Sequence, residues 1–201
     1  MTNPVVLVHG IFRTSSVFRK LSPYLQKKGF SVYSIDLKPN NATLGLDEMA
    51  AQLADFINQT FPPNQPIDLV GLSMGGLVTR YYVQRLGGIN RVQRYITIAA
   101  PHHGTWLAYL LNRRACVQMR PGSPLIEDLN RDVQMLERLN FTSIWTPWDF
   151  IIIPGNSSQM PVGKNVKVSV LAHACMVINS HSMQAVASAL SEPFYQIQKA
   201  N

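Results

Sequence analysis

The sequence predicts an α/β domain in which a mainly parallel sheet of about six strands is flanked by helices, and two observations carry that prediction. Short β-branched apolar runs alternate with helical patterns along the whole chain, which is how a parallel sheet covered on both faces is written in sequence. The 201 residues, 46% of them hydrophobic and 14% charged, supply one domain with a substantial core and are too few for two ordinary ones.

The first strand is Val5 to His9. Ser16 to Lys28 follows as a helix closed by Gly29, a residue that tolerates the left-handed backbone of a helix C-terminus. After the second strand, Ser31 to Asp36, Leu46, Met49, Ala50, Leu53, Phe56 and Ile57 recur at helical spacing until Pro62-Pro63 stops them. Ile67 to Leu72 is the third strand and Met74 to Leu86 the third helix, ended by Gly87-Gly88. Arg94 to Ala99, Phe141 to Trp145 and Val166 to Leu171 complete the strands, and Ser182 to Leu190 is the last helix. The connection from Pro101 to Asn140 is too long for a bare loop. Its second half, Ser123-Pro124 followed by Leu125, Leu129, Val133, Leu136 and Leu139, predicts a helix with a serine N-cap and proline in the first turn. Residues 1–201 are thus read as one domain in which 101–140 borders or caps the site.

Eighteen basic residues against 11 acidic give a net charge of +7. Its distribution is uneven: Leu69 to Ile126 holds Arg80, Arg85, Arg91, Arg94, Arg113, Arg114 and Arg120 and no acid, and the remainder is neutral. Lysine-rich blocks, aromatic-interleaved basic runs and zinc spacings are absent, which disfavours nucleic acid as a partner. A transient contact with an anionic membrane surface stays open, on condition that Arg80, Arg85, Arg113, Arg114 and Arg120 face one way; helix periodicity alone sets Arg80 and Arg85 about 140° apart. No apolar stretch approaches the ~18 residues of a membrane span. No basic region with a small-residue cleavage site precedes Asn3-Pro4-Val5, so the expectation is a cytoplasmic protein or an already trimmed mature chain. Cys116 and Cys175 by themselves make neither a disulfide framework nor a metal site.

Chemistry concentrates at Gly71-Leu72-Ser73-Met74-Gly75. The pattern alone is weak, but at a junction of strand and helix it demands a sharp turn that exposes the serine, with flanking positions free of side chains. The competing reading is a glycine-rich turn with an idle serine. A serine hydroxyl needs a base and an orienting acid, which this architecture supplies in the chain order Ser, Asp, His. Asp149 comes just after the fifth strand, at the sheet edge that carries Ser73, whereas Glu127, Asp128, Asp132 and Glu137 read as the solvated face of a helix. His173 directly follows the sixth strand and is the expected base; His181, at the entry of the last helix, is the competitor. Backbone amides of Ile11, after His9-Gly10, and of Met74 are the expected oxyanion donors, with His9 a structural histidine under that loop. His102-His103 reads as a turn rather than a metal site, because adjacent histidines in extended chain point opposite ways and no third ligand is spaced for them. No metal or cofactor is expected. Trp106 and Leu107, with Phe12 after the oxyanion residue, are the expected substrate wall.

Taken together, Asn3-Pro4-Val5-Val6-Leu7-Val8-His9-Gly10-Ile11, Gly71-Leu72-Ser73-Met74-Gly75-Gly76, Ala100-Pro101-His102-His103-Gly104-Thr105, Thr142-Ser143-Ile144 leading to Asp149, and Ala172-His173 resemble the small bacterial lipases of the α/β-hydrolase superfamily. The resemblance covers nearly the whole chain, and the family's nucleophile, acid, base and oxyanion amides fall on Ser73, Asp149, His173, Ile11 and Met74. Phe12-Arg13 stands where a glycine-rich continuation is usual, and Cys175-Met176 where many relatives carry an apolar aromatic pair. The function implied is a serine hydrolase of carboxylic esters, a lipase or esterase acting on acylglycerols or glycerolipids through an acyl-enzyme. Thioesterase, acyltransferase and amidase chemistry use the same residues. A serine at this position excludes dehalogenases, epoxide hydrolases and dienelactone hydrolases. A basic docking module without activity would use only the arginines.

Overall fold

The computed structural model describes residues 2–194. Its sheet has six strands, all parallel, in the order β2-β1-β3-β4-β5-β6. These are β1 (Val5–Val8), β2 (Val32–Ile35), β3 (Ile67–Leu72), β4 (Val92–Ile98), β5 (Asn140–Trp145) and β6 (Lys164–Lys167). The central strands are buried on both faces, and their apolar runs follow from that: β1 reads Val-Val-Leu-Val with every residue buried.

Alternate residues serve two separate cores. Val6 and Val8 of β1 face the helices α2 (Leu46–Thr60), α3 (Met74–Arg85), α4 (Arg114–Gln118) and α5 (Pro124–Arg131), while Val5 and Leu7 face α1 (Leu21–Lys27) and α6 (Ser180–Leu190). The chain leaves β1 for β2 on one side and then returns past β1 to β3 on the other. Order reverses at that point, which opens a crevice at the carboxyl ends of β1 and β3. His9-Gly10 leaves β1 there and Ser73 leaves β3.

Most boundaries fall within two residues of those the sequence predicts, and three elements depart further. Ser16 to Lys28 is not one helix: a 3-10 turn over Ser15–Phe18 is followed by α1. Pro23 explains the break, since it has no amide to give the Arg19 carbonyl and its ring would collide with it. The helix expected from Leu125 to Leu139 stops at Arg131 and resumes as a 3-10 turn over Val133–Arg138. Here the Leu129 carbonyl is taken by Arg80 Nη2 (2.8 Å) and Gln84 Nε2 (3.0 Å). The Ser123 cap forms as expected, Oγ accepting from the Ile126 amide at 3.3 Å. Finally β6 lies two residues earlier than predicted and is short. It is an edge strand; the Val168 amide still donates to the Trp145 carbonyl of β5 at 2.9 Å, and beyond the strand Val168 and Val170 join the core on the α6 side of the sheet.

One buried ion pair lies inside the sheet. Asp68 of β3 is fully buried and meets Arg94 of β4 at 2.9 Å, with Asn3 Nδ2 donating to the same carboxylate at 3.0 Å. Burial pushes the Asp68 carboxyl up, against the opposing pull of Asn3 and Arg94. Removing the cation strands a charge in the core, so Arg94→Met should lower unfolding free energy by about 3–5 kcal/mol. Arg114→Ala, which breaks the half-exposed pairs with Asp47 and Glu48, should cost no more than about 1 kcal/mol. Urea titrations of the two variants check the difference.

Candidate active site

Ser73 occupies the turn between β3 and α3 with φ 54° and ψ −125°, a left-handed backbone that a residue with a side chain adopts only where its surroundings hold it there. Its amide donates to the Ile98 carbonyl at 2.8 Å and its carbonyl accepts from the Gly76 amide at 2.8 Å. The turn closes because two neighbours are glycine. A Cβ on Gly71 would lie 2.6 Å from the Gly76 Cα, and one on Gly75 would strike the Val8 carbonyl oxygen and sit 2.5 Å from that of His9. Helix α3 starts at Met74, so the Met74 amide lies in the first turn, where amides have no partner within the helix.

Asp149 and His173 are brought to this edge by different strands. The Asp149 carboxylate is buried; its Oδ1 accepts the Ile151 and Ile152 amides, both at 2.9 Å, and its Oδ2 lies 2.8 Å from His173 Nδ1. A carboxylate only accepts, so the proton of the neutral ring sits on Nδ1 and Nε2 keeps its lone pair. A clasp holds the two loops together: the Thr146 hydroxyl, just after β5, donates to the Val170 carbonyl at 2.7 Å. His181 lies elsewhere, in the first turn of α6 with its amide bonded to Asn179 Oδ1 at 2.9 Å.

Ser73 and His173 line one cavity of about 620 Å³ together with Gly10, Ile11, Phe12 and Ile151. The Ile11 loop is held from below. His9 Nε2 accepts the Leu37 amide at 2.9 Å, so its proton is on Nδ1, which donates to the Gly10 carbonyl at 2.8 Å. Burial pushes the His9 pKa down and keeps the ring neutral, as that acceptor role requires. The Phe12 amide is fixed by the Asn40 carbonyl at 2.9 Å.

Trp106 and Leu107 are not on the cavity wall, contrary to the sequence expectation. Trp106 is 59% exposed, stacked on Tyr109 with centroids 5.6 Å apart, and neither lines the site nor fills the core. The wall is instead made by Phe12 and by Val17, Ile151, Val177 and Ile178. Sequence patterning overlooks the last four; their one visible signal is an apolar residue in a loop that follows a strand end. His102 and His103 point apart, His102 buried with Nε2 at 2.9 Å from the Thr97 hydroxyl and His103 exposed with Nε2 donating to the Gln159 carbonyl at 3.1 Å.

The arginines do not share a face. Arg80 is fully buried under the connection, bonded to Gln84, Leu129 and His102, and its pKa is pushed down to about 10 by that burial. Arg85 bridges Asp128 and Asp132, and Arg91 binds the Phe61 and Pro62 carbonyls. The condition set above for a single basic belt is not met.

A parallel sheet in this order, with a serine in a strained turn after β3 at the topological reversal, defines the α/β-hydrolase class. Within it, the chain belongs to the palmitoyl protein thioesterase family, a family of hydrolases whose model matches residues 4–148. Three solved structures show the same fold. The mature Bacillus licheniformis lipase BlEst2 superposes with a TM-score of 0.77 at 16% identity, over 94% of this chain and 92% of that one. Aspergillus fumigatus lipase B gives 0.76 at 18% identity, over 95% of this chain and 52% of the other. MGS-MChE2, an α/β-hydrolase from the metagenome of Moroccan lagoon sediment, gives 0.70 at 17%, over 94% and 90%. Among the described residues no helix is long and apolar enough to cross a membrane.

His9 and His102 both have pKa values lowered by burial. Each therefore takes up its proton in the unfolded chain, near pH ~6.5, before it does so in the folded one. Stability should be level above that pH and fall as pH drops below it. Thermal unfolding from pH 8 to 5 checks this, and His102→Gln should make the decline shallower.

Proposed function

We propose that the chain is a serine hydrolase that cleaves acyl esters, thioesters included, with Ser73 as nucleophile, His173 as base and Asp149 as the acid that orients it. The hydrogen bond from His173 to Asp149, on the cavity that Ser73 lines, is the observation that carries this reading. His173 Nε2 takes the proton of Ser73 Oγ as that oxygen bonds to the acyl carbon. Negative charge gathers on the former carbonyl oxygen, which accepts from the Ile11 and Met74 amides; one such donor is typically worth ~3–4 kcal/mol in the transition state. Asp149 stabilises the imidazolium, which then protonates the departing alcohol or thiol. A water gives its proton to the same nitrogen, attacks the acyl-enzyme, and releases the carboxylic acid as the proton returns to Ser73. The chemistry calls for no cofactor. Membership of a thioesterase family supports a long-chain acyl thioester as one substrate class, and the apolar wall of Val17, Ile151, Val177 and Ile178 suits an acyl chain of either ester type.

A fluorophosphonate should add its mass to the native protein and leave Ser73→Ala unlabelled. Turnover of a medium-chain ester or thioester should fall on the order of 10⁴- to 10⁶-fold in Ser73→Ala and in His173→Ala. Activity that survives His173→Ala and is lost in His181→Ala would overturn the assignment of the base.

Contact with an anionic lipid surface is favoured by an exposed aromatic rim together with Arg113 and Arg120, two of the five arginines named for a basic belt. Phe12, Trp106, Tyr109, Leu110, Trp148 and Phe150 are all at least half exposed on loops at the carboxyl edge of the sheet, and Arg113 and Arg120 lie over the Phe12 and Tyr109 rings at 5.6 and 4.8 Å. Trp106 is tied to the Asp149 loop through its amide and the Ile153 carbonyl at 3.0 Å, so the patch is continuous with the cavity mouth. Sedimentation with anionic vesicles should be strong at 0.1 M salt and weaken toward 1 M, as the Debye length contracts from ~10 to ~3 Å. It should be lost in Trp106→Ser/Phe150→Ser. Equal binding of neutral vesicles, or none to anionic ones, would exclude this contact.

A further inference from the structure

Among the described residues, nine of the eleven arginines have a partner: Arg80, Arg85, Arg91, Arg94, Arg113, Arg114, Arg120, Arg131 and Arg138 each hold a carboxylate, a carbonyl or a side-chain amide. Arg13 and Arg19 are the exceptions, with no ion pair or side-chain hydrogen bond to any described residue. Both line the cavity of Ser73 and His173. An exposed arginine without a partner is ordinary on a surface; two on the wall of one cavity, in a chain that pairs all its others, are not.

Their placement is fixed by the backbone. The Arg13 amide donates to the Gly10 carbonyl at 3.3 Å, and its own carbonyl accepts from Asn40 Nδ2 at 2.9 Å. Arg19 closes the 3-10 turn over Ser15–Phe18, its amide donating to the Ser16 carbonyl at 3.2 Å. That turn is pinned in turn by the Ser15 amide, which donates to the Asp36 carboxylate at 2.5 Å. Ser16, between the two arginines in sequence, lines the cavity as well, and no aspartate or glutamate does. The cavity wall thus joins cationic and hydrogen-bonding groups, from Arg13, Ser16 and Arg19, to the apolar side chains of Val17, Leu72, Ile151, Val177 and Ile178.

We infer that Arg13 and Arg19 form an anion-binding rim to this cavity, so that the preferred substrate is an acyl ester or thioester carrying a phosphate or carboxylate in the same molecule. Guanidinium groups match the paired oxygens of either anion, and such charge-assisted bonds are about twice as strong as neutral ones. The acyl chain takes the apolar wall and the anion the rim. This rests on the proposed hydrolysis for its substrate and stands on its own as a binding site.

Two measurements test it. In the first, kcat/KM is determined for four esters with one common acyl chain, whose alcohol parts end in a hydroxyl, a phosphate, a carboxylate or a trimethylammonium group. The native protein should prefer the phosphate or the carboxylate over the hydroxyl by at least about tenfold at low salt, and whichever anion is preferred identifies the source. In Arg13→Gln/Arg19→Gln the ratio of anionic to neutral substrate should fall to about one. In Arg131→Gln/Arg138→Gln, which loses the same charge on an exposed remote surface, the ratio should persist. A ratio near one in the native protein, or an equal loss in both double variants, overturns the inference, the latter by showing that only overall charge matters. If the neutral ester is not cleaved at all, the hydrolase reading fails instead. The second measurement covers that case: calorimetric titration of the native protein with an uncleavable alkyl phosphate and with the matching alkyl alcohol. The phosphate should bind at least about tenfold more tightly, and that advantage should vanish in Arg13→Gln/Arg19→Gln; equal binding of the two overturns the anion rim whatever the reaction.

Discussion

The close approach of backbone to backbone at Ser73 is the constraint on which the carboxyl edge of the molecule depends. Helix α3 begins against the last carbonyls of β1, and only a glycine at position 75 leaves room for the Val8 and His9 oxygens. The same contact brings Gly10 beside Ser73, where a Cβ would sit 3.1 Å from the serine Cβ. The loop that carries Ile11 and the turn that carries Ser73 are therefore parts of one packed unit. Its geometry is further held by His9, whose neutral ring joins β1 to Leu37 at the end of β2. Preorganisation of this kind places amide dipoles before any substrate arrives.

The polar groups elsewhere follow from the same architecture. Loops of the connection between β4 and β5 cover α3, and the buried Arg80 serves there as a bracket, bonding to carbonyls on both sides of the connection. Arg85 extends the bracket to Asp128 and Asp132. Four of the seven arginines of the basic middle third, Arg80, Arg85, Arg113 and Arg114, thereby tie the connection to α3 and to the entry of α2. The arginines that line the cavity, Arg13 and Arg19, lie outside that third, at positions where composition draws no attention to them.

Membership of a thioesterase family and the shared fold of lipases do not decide between oxygen and sulfur esters. The reason is chemical: in the proposed reaction Ser73, His173 and Asp149 act on the acyl carbon, and the departing atom meets only the imidazolium that protonates it. In that reading discrimination comes from the walls of the cavity, which carry both apolar side chains and Arg13 and Arg19.

The strands, their parallel order of use and the turn at Ser73 are legible in the sequence, because they rest on local signals: β-branched runs, helical spacing, and glycines where side chains would collide. Asp149 and His173 are likewise visible as polar residues just past strand ends, and Pro23 contains the reason why the first helix is broken. What only the tertiary structure decided is which distant groups meet. The sequence could not say that Trp106 stacks on Tyr109 off the cavity wall, that β6 ends before the buried Val168 and Val170, or that Arg80 lies in the interior while Arg13 and Arg19 line the cavity. Those outcomes depend on burial and pairing between residues tens of positions apart, and a side chain carries no local mark of the partner that folding will bring to it.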